Sequence, residues 1–434
     1  MTPAPFDAVG RVFAPDALGR SVRLHGWLLR SRSSGGILFL LLRDRTGVVQ
    51  VTGKKDVLGA AMYDAAEHVQ GEGALEVEGT VADDPRAPGG REVRAKAVRV
   101  IDAGQPFPIF QEQTEEFRLD KRHLVIRSPE LVATFRIKAE VLRALREFLD
   151  AEEVLETTPP ILTGNPAEGG SEAFSIDYFG RPGYLSQSAQ LYLEALLAPN
   201  ERVYALTPSF RAEKSRTPRH LTEYQHLEVE LAWCDLDCLL EFTERMIVSV
   251  VHTVAERRAA ELRSLGRPPE ELLAVRAPFP RLPYAEAIER LQAQGLPVRW
   301  GSDLATAEER ALTLEERLPV FVTRFPRELK AFYMLRTPGD PRTVEAADLL
   351  GPEGYGELVG ASCRETDIDA LKERLVAMGA NVEEYEWYLD TRRHGSVPHA
   401  GFGLGVERLM RWMLRREHIR ETTPFPRTPS RHTP

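Results

Sequence analysis

The sequence has few cysteines, no long apolar run and no sign of a leader peptide. Its 434 residues include three cysteines, Cys234, Cys238 and Cys363, which cannot form a disulfide framework and are typical of a reducing compartment. No apolar run reaches the roughly 18 residues that a membrane-spanning helix needs. The start MTPAPFDAVG lacks the basic and apolar regions of a signal peptide. We therefore expect a cytoplasmic protein with no membrane partner.

Cys234 and Cys238 stand near each other beside an apolar segment. No matching pair of cysteine or histidine follows them at the spacing of a zinc site. We expect both to be small, buried apolar residues rather than metal ligands.

Basic residues are outnumbered by acidic ones. The chain has 56 lysines and arginines against 65 aspartates and glutamates, which gives a net charge of −9. Because an acidic molecule repels phosphate at long range, we expect no indiscriminate binding to nucleic acid and no DNA partner, and any contact with RNA must be local. The length and the apolar fraction of 43% allow two or three domains with a large core.

Apolar alternation and turn residues divide the chain into two parts joined by a hinge. Residues 1–102 are β-rich, with segments such as SVRLHGWLLRSR and ALEVEGTVADD, and this pattern is typical of a five-stranded barrel. Residues 103–130 carry prolines and charges, and they predict a hinge with a helix start at Ser128 and Pro129. Residues 131–434 alternate helices and strands, with a helical block at 235–264 and a looser insertion at 265–318 that has few motifs.

The segment FRAEKSRTPRHLTEYQHLEVELAW, residues 210–233, predicts a strand, a loop and a second strand. Arg211 and Glu213 would alternate on one face of the first strand, and Glu228 and Glu230 on one face of the second. The loop between them is long enough to fold over a ligand. A cation for phosphate and acceptors for a base or amine would share one cleft, although a solvated surface hairpin gives the same pattern.

The segment GFGLGVER, residues 401–408, predicts a glycine-rich strand that runs into an apolar helix. Glycines let a backbone approach a ligand closely, and Arg408 at the junction is well placed for a triphosphate. A tightly packed strand-to-helix turn is the alternative interpretation.

Together these two segments resemble motifs 2 and 3 of the class II aminoacyl-tRNA synthetases. KAEVLRALREFLDAEEVLETTPPILT resembles motif 1, with Pro159 as its proline. The resemblance implies an α+β protein in which an N-terminal OB-fold β-barrel precedes a class II catalytic domain, an antiparallel sheet flanked by helices. It also implies a homodimer formed through motif 1.

The resemblance assigns an ATP site with bound magnesium. Arg211 would hold the α-phosphate, Arg408 the γ-phosphate and Glu357 the metal ion, and these three would be catalytic. For Glu357 a structural salt bridge is the alternative. The implied ATP-binding residues are Arg211, Glu213, Arg219, His220, Leu221, Tyr224, Glu357, Gly405 and Arg408.

The amino acid expected from the resemblance is asparagine. Aspartate enzymes resemble QLYK where this chain has QLYL, and Leu193 in place of the lysine favours a neutral substrate side chain. WYLDTRRHGSVPH resembles asparaginyl-tRNA synthetases, which attach L-asparagine to tRNA(Asn) through an asparaginyl-adenylate and release AMP and pyrophosphate. The implied amino-acid-binding residues are Glu168, Ser188, Gln190, Leu193, Glu228, Gly360 and Arg364.

GWLLRSRSSGGILFLLLRDRTGVVQV resembles the anticodon-binding OB-fold of the aspartyl, asparaginyl and lysyl enzymes. The resemblance implies that Phe39 stacks on an anticodon base, with Arg30, Arg32 and Gln50 on the same face. Phe39 as a core residue of the barrel is the alternative.

Three other functions compete with this interpretation. They are an aspartyl-tRNA synthetase that charges both tRNAs, a ligase that makes free asparagine, and a non-catalytic RNA-binding protein. Leu193 and GSVPH count against the first, the OB-like region against the second, and the intact Arg211, Glu213, Glu357 and Arg408 against the third.

Overall fold

The computed structural model describes residues 6–110, 113–164, 172–214 and 217–433. The chain divides into two compact units, Met1–Gln113 and Thr114–Pro434. No helix within these described ranges is long and apolar enough to cross a membrane.

The first unit is a closed five-stranded barrel, which confirms the predicted OB-fold. Alternate side chains of each strand enter one apolar core, as Leu38, Leu40 and Leu42 do from the second strand. The strands follow the order β1-β2-β3-β5-β4 around the barrel. The elements are β1 (Ser21–Ser34), β2 (Ile37–Asp44), β3 (Gly47–Lys54), α1 (Lys55–Leu58), α2 (Ala60–Glu67), β4 (Ala74–Asp83) and β5 (Arg91–Asp102), with short 3-10 helices at Val9–Phe13 and Pro88–Gly90.

The second unit begins with two short helices within the segment assigned above to a hinge, α3 (Glu115–Asp120) and α4 (Arg122–Val125). The long helix α5 (Pro129–Ala151) follows, and its predicted start is confirmed. The Ser128 hydroxyl caps α5 by accepting a hydrogen bond from the N–H of Leu131, and Pro129 occupies its first turn.

Ten further helices belong to the part of the second unit that the structure describes. The predicted helical block at 235–264 is confirmed as α8 and α9. The helices are α6 (Gln190–Ala195), α7 (Leu197–Asn200), α8 (Leu236–Arg257), α9 (Ala259–Ser264), α10 (Pro269–Leu273), α11 (Tyr284–Ala293), α12 (Thr306–Thr313), α13 (Ile368–Ala377), α14 (Glu386–Arg393) and α15 (Val406–Met413), with 3-10 helices at Arg327–Leu329, Val382–Tyr385 and Ile419–Thr422.

An eight-stranded sheet forms the centre of this unit, in the order β12-β13-β16-β17-β18-β11-β10-β6. Its pairs are antiparallel except β6 with β10 and β12 with β13. Two smaller sheets contain β7, β9 and β8, and β14 with β15. The strands are β6 (Leu155–Glu156), β7 (Leu162–Thr163), β8 (Ser175–Tyr178), β9 (Arg181–Leu185), β10 (Arg202–Phe210), β11 (Glu223–Ala232), β12 (Arg281–Pro283), β13 (Val320–Thr323), β14 (Arg336–Thr337), β15 (Asp340–Val344), β16 (Ala346–Gly351), β17 (Gly356–Cys363) and β18 (His399–Gly405).

One face of the sheet packs on α5 and α8 through a large apolar cluster that includes Val141, Leu145, Val250 and Phe402. The insertion at 265–318 contributes to a separate cluster around Tyr284, built from α11, α12 and the strands beside them. Leu227, Val229 and Leu231 of β11 face the large cluster. The alternating His226, Glu228 and Glu230 therefore face the opposite side of the sheet. The predicted α+β fold is confirmed.

Cys234 is buried as predicted, but it forms a disulfide with Cys238 across a separation of four residues, which was not expected. The turn that precedes α8 brings their Cα atoms to 5.5 Å, within the range that a disulfide requires. Cys238 is exposed rather than buried, whereas Cys363 is buried with a free thiol.

Candidate active site

A cavity of about 530 Å³ lies where the β10–β11 loop meets β17 and the junction of β18 with α15. The structure brings together all nine residues that the sequence assigned to ATP. The lining residues are Arg211, Glu213, Arg219, His220, Leu221, Tyr224, His226, Glu357, Leu358, Gly403, Gly405, Glu407, Arg408 and Ile419. We name this space the nucleotide cavity.

Arg211 and Glu213 follow β10 instead of lying on it, which corrects the predicted strand. The Arg211 N–H still donates to the carbonyl of Thr222, at 3.0 Å, but the next N–H, of Ala212, donates to the carbonyl of Glu172. The chain therefore leaves the sheet after Phe210. The Arg211 guanidinium lies 5.7 Å from the centre of the Tyr224 ring, so both still face the cavity.

The glycines of β18 make room for side chains on its neighbour β11. Glu230 pairs with Gly401 and Glu228 with Gly403 in the antiparallel register. A Cβ atom at Gly403 would lie only 2.5 Å from Nε2 of His226, and one at Gly401 would collide with the Glu230 carboxylate. The spacing of glycines in GFGLG thus reflects the polar side chains on the adjoining strand.

Arg408 and Glu357 face each other in the nucleotide cavity, with 2.9 Å between Nη1 and Oε2. Burial opposes ionisation of the Glu357 carboxyl, but the charges of Arg408, Lys330 and Arg219 outweigh burial and lower the pKa of Glu357 to about 2. Glu357 is therefore an anion at neutral pH. In this structure Glu357 forms a salt bridge, as the alternative interpretation expected. Its carboxylate also lines the cavity, where a metal ion would contact it.

His220 is neutral at neutral pH. Burial, together with repulsion from Arg408 and Arg219, lowers the pKa of His220 to about 4. A neutral imidazole can donate one hydrogen bond to a phosphate oxygen without adding a charge.

Glu309, on α12 of the insertion, forms an ion pair with Arg219. Its Oε2 also accepts a hydrogen bond of 3.1 Å from the backbone N–H of Glu357. Burial, only partly offset by the Arg219 charge, raises the pKa of Glu309 to about 7. Sequence reasoning missed this residue, because its segment has no motif.

A second cavity of about 660 Å³ adjoins the first and shares Arg211, His226, Glu357 and Gly403 with it. Five of the seven residues predicted to bind the amino acid line it. The lining residues are Ser188, Gln190, Arg211, His226, Glu228, Glu230, Lys330, Tyr333, Met334, Asp348, Glu357, Gly360, Ala361, Ser362, Arg364, Phe402 and Gly403. We name this space the side-chain cavity.

Leu193 and Glu168 are the other two predicted residues. The structure corrects the position of Leu193, which is fully buried with Ala189, Leu197 and Val203 in an apolar cluster. The helix α6 turns its Leu193 side toward β10, so the side chain packs in that cluster instead of lining the cavity. Glu168 lies outside the described residues.

Arg364 enters the side-chain cavity as part of a buried ion pair with Glu230. Its Nε lies 3.2 Å from Glu230 Oε2, and its Nη1 donates to Ser362 Oγ at 2.6 Å. The Arg364 pKa is raised, because the Glu230 and Glu194 charges outweigh burial. The contacts with Glu230 and Ser362 hold the Arg364 guanidinium in one orientation.

Glu194 anchors a second buried group behind Arg364. It forms an ion pair with Arg392 and accepts hydrogen bonds of 2.8 Å from Tyr388 Oη and 2.9 Å from Gln190 Nε2. His399 Nε2 lies 3.0 Å from the same carboxylate. Burial opposes ionisation of Glu194, but the Arg392 charge and the His399 hydrogen bond hold its pKa well below the usual value.

Glu228 receives two hydrogen bonds from the segment that leads into α6. Ser188 Oγ donates to one carboxylate oxygen, and the N–H of Ala189 donates to the other at 2.7 Å. The two hydrogen bonds fix the Glu228 side chain as an acceptor at the edge of the side-chain cavity.

Asp348 and Glu357 are the carboxylates best placed to share a cation. A Cβ atom at Gly360 would lie 3.4 Å from Glu357 Oε1 and 4.0 Å from Asp348 Oδ1, so both carboxylates face the same glycine. Asp348 pairs with Lys330 at 2.6 Å, and burial raises the pKa of Asp348. Within the described ranges no three His, Cys, Asp or Glu side chains form a metal cluster, so phosphate oxygens would have to complete a magnesium site.

The barrel carries its own candidate surface, which includes all four predicted anticodon residues. Arg32 pairs with Phe39 across β1 and β2, and Leu41 lies between Arg30 on β1 and Gln50 on β3. The Arg32 guanidinium lies 4.5 Å from the centre of the Phe39 ring. Phe39 alternates with the core residues of β2 and is partly exposed, so its interpretation as a core residue is wrong.

Comparison with known proteins identifies the family. The model for class II tRNA synthetases (D, K and N) matches residues 114–429, and the model for the OB-fold nucleic acid binding domain matches 22–101. The chain is 48% identical to the asparagine–tRNA ligase of Thermococcus kodakarensis, over 97% of each chain. The chain belongs to the asparaginyl-tRNA synthetases.

Solved structures of this family agree. The asparaginyl-tRNA synthetase of Pyrococcus horikoshii complexed with asparaginyl-adenylate matches with a TM-score of 0.97 and 46% identity, covering 99% of this chain and all of that one. The enzyme of Entamoeba histolytica matches with a TM-score of 0.89 and 32% identity, covering 97% of this chain and 98% of that one. The predicted family and fold are confirmed.

Several site residues of this synthetase were not found from the sequence. His226 has a signal that could have been read, since it is two positions from Glu228 on a strand whose alternate residues face one way. Lys330 and Asp348 had no such signal. Lys330 follows a 3-10 helix and Asp348 lies on β16, and only the fold brings the two side chains together. The same holds for Arg392 and Glu194, which are 198 residues apart.

Proposed function

We propose that this chain ligates L-asparagine to tRNA(Asn) in two steps, through an asparaginyl-adenylate that forms at the junction of the two cavities. One observation carries the proposal. Arg211 and Glu357 line both cavities, so a nucleotide in one and an amino acid in the other would meet between them. The side-chain cavity holds fixed polar groups and the nucleotide cavity holds the phosphate-binding cations.

In the first step an oxygen of the asparagine carboxylate attacks the α-phosphorus of ATP. A new O–P bond forms, the bond to the β-phosphate bridging oxygen breaks, and pyrophosphate leaves. Arg211, a permanently charged fork beside Tyr224, stabilises the negative charge that builds on the α-phosphate. No protein nucleophile is needed, because both reactants are held in place.

Arg408 holds the γ-phosphate after it separates from Glu357. Glu357 and Asp348 would hold magnesium, a hard cation that prefers carboxylate and phosphate oxygens. When bound, magnesium neutralises part of the charge of the triphosphate. His220 stays neutral and donates a hydrogen bond near the pyrophosphate end, and Glu213 accepts from the adenine amino group.

Asparagine is selected over aspartate by the side-chain cavity. Arg364 donates to the amide oxygen, and Glu228 accepts from the amide NH2. Glu228 is already an acceptor for Ser188 and Ala189, so its charge would repel a substrate carboxylate at the same place. Leu193 is buried in an apolar cluster and does not line the side-chain cavity, so Arg364 and Glu228 make the selection.

In the second step the terminal 3'-hydroxyl of tRNA attacks the adenylate carbonyl and AMP leaves. Phe39, Arg30, Arg32 and Gln50 on the barrel face read the anticodon by stacking and hydrogen bonding. The protein works as a homodimer through α5 and β6, where Leu155 is half exposed as an interface residue would be in a single subunit. The reaction takes place in the cytoplasm.

The test is ATP–pyrophosphate exchange by the purified protein without tRNA, with asparagine or aspartate supplied separately. Exchange with asparagine alone is expected. Exchange with aspartate at a comparable rate would contradict the selection argument, and exchange with neither would favour the non-catalytic alternative. Charging of tRNA(Asn) with asparagine in a second assay would exclude a ligase for free asparagine.

A further inference from the structure

The insertion at 265–318 contributes a buried carboxylate beside the nucleotide cavity. Glu309 lies on α12, and its Oε2 pairs with Nη1 of Arg219 on the β10–β11 loop. The same oxygen accepts a hydrogen bond from the N–H of Glu357 at the start of β17. One carboxylate thus joins the two segments that flank the proposed phosphate position.

Glu309 stands behind Arg219 as seen from the cavity. Arg219 lines the nucleotide cavity together with Glu357 and Arg408, whereas Glu309 lies outside the lining residues. The pair is tightly enclosed by Gly356, whose φ is 76°. A Cβ atom there would lie 2.6 Å from Glu309 Oε2 and 2.9 Å from Arg219 Nη1. A side chain at position 356 would therefore collide with the ion pair, and the glycine leaves room for it.

The guanidinium of Arg219 has N–H donors left for a ligand when Glu309 is bound to it. A guanidinium has five N–H donors in a rigid fork, and Glu309 occupies Nη1. The Nε of Arg219 is buried and has no hydrogen-bond partner in the part of the chain that the structure describes. A carboxylate at one nitrogen fixes the plane of the fork and leaves other donors to a phosphate oxygen.

An alternative role for Glu309 is that of a stand-in for phosphate, to be displaced when ATP enters. Its position argues against this role. Displacement would also break the hydrogen bond to the Glu357 backbone, and the carboxylate does not occupy the cavity that the phosphates would fill.

We infer that Glu309 is a positioning residue that holds Arg219 toward the phosphates of ATP and so couples the insertion to nucleotide binding. The inference rests on the proposed function and adds to it a role for a segment that carries no motif.

The test measures asparagine-dependent pyrophosphate exchange by full-length Glu309→Ala and Glu309→Gln proteins. Loss of one charge-assisted contact predicts a rise in the KM for ATP of about tenfold or more for Glu309→Ala. The KM for asparagine is expected to stay within about twofold, since the contact lies at the nucleotide end. Glu309→Gln keeps the shape and one acceptor oxygen, so a smaller rise is expected, and this variant serves if Glu309→Ala does not fold.

A double-mutant cycle separates positioning from general damage. If Glu309 acts through Arg219, then Glu309→Ala adds less than about twofold to the KM for ATP in an Arg219→Ala protein. Glu289→Ala is the matched control, because Glu289 is an exposed glutamate on α11 of the same insertion, and it should behave as wild type. The inference is overturned by an unchanged or lower KM for ATP, by equal effects on both substrates, or by additive effects in the cycle. Failure of the wild-type protein to exchange with asparagine would instead overturn the proposed function.

Discussion

The two cavities of the catalytic unit contain ion pairs of different kinds. In the nucleotide cavity the side chains of Arg408 and Glu357 are 21% and 31% exposed. In the side-chain cavity those of Arg364 and Glu230 are 4% and 2% exposed, and the Arg392–Glu194 pair behind them is 1% and 0% exposed. The first pair can exchange its partners for water or ligand, whereas the others cannot do so without leaving a charge buried and unpaired.

This difference matches the tasks proposed for the two cavities. The γ-phosphate of ATP would replace Glu357 as the partner of Arg408, and magnesium would replace Arg408 as the partner of Glu357. A partly exposed ion pair is suited to this exchange of partners. Discrimination between an amide and a carboxylate requires donors and acceptors that keep their positions, and a buried network supplies this rigidity. The comparison predicts that mutations in the two cavities will fail in different ways.

The largest expected effect is on stability, from Arg392→Ala in the buried network. Removal of this partner leaves the Glu194 carboxylate buried, and we expect the free energy of unfolding to fall by about 3–5 kcal/mol. Urea unfolding at neutral pH measures it. The adjacent Arg393, which pairs with Glu386 and Asp390 at the surface, is the control, and Arg393→Ala should change little. Equal effects of the two variants would contradict the comparison.

Arg408→Ala should leave stability nearly intact and reduce activity. Loss of a cation that stabilises the triphosphate predicts a fall of about 100- to 1,000-fold in pyrophosphate exchange. Arg415→Ala, two residues beyond the end of the same helix, removes an arginine paired with Glu353 at the surface and should exchange at nearly the wild-type rate. Normal exchange by the Arg408→Ala protein would show that Arg408 does not stabilise the triphosphate.

Phe39→Ala should affect neither cavity. Loss of one base stack is expected to weaken the binding of tRNA by about 1–3 kcal/mol, which would raise the KM for tRNA in aminoacylation. Exchange without tRNA should be unchanged. Ile101→Ala removes an apolar side chain that is exposed at the end of β5, and it should leave both assays unaltered. A loss of exchange in Phe39→Ala would show that the barrel face acts on activation.

The smallest expected effect is the pH dependence that comes from His220. Its pKa of about 4 in the folded protein lies below the ordinary 6.5, so the unfolded chain takes up the proton first. Stability from this group is complete above pH 6.5 and is lost as the pH falls toward 4. His220 is partly exposed, so screening limits the loss between pH 7 and 5 to about 1 kcal/mol.

The measurement is urea unfolding at pH 7 and at pH 5. The His220→Asn protein should lose less stability on acidification than wild type does, and His432→Asn, at an exposed position, should lose the same amount as wild type. Identical pH dependence of His220→Asn and wild type would contradict the assignment of a depressed pKa.

What the sequence could predict depended on how far apart the interacting residues are along the chain. The nine residues that the family resemblance assigned to ATP all line the nucleotide cavity, because the short segments 211–224 and 405–408 lie at the ends of neighbouring strands and Glu357 lies on the adjoining β17. Glu309 escaped prediction because its partner Arg219 is 90 residues away and no pattern links them. Leu193 was misplaced because the substitution of a lysine was read without knowing which side of α6 faces β10. The disulfide was missed because the turn before α8, rather than the number of cysteines, sets the Cα separation.

The most direct test of the comparison is a crystal structure with asparagine, magnesium and a non-hydrolysable ATP analogue bound. We predict that Arg408 and Glu357 separate beyond ion-pair distance, with Arg408 on the γ-phosphate, while the Arg364–Glu230 and Arg392–Glu194 pairs stay as they are. An intact Arg408–Glu357 pair beside bound nucleotide, or rearrangement of the buried pairs, would contradict the account.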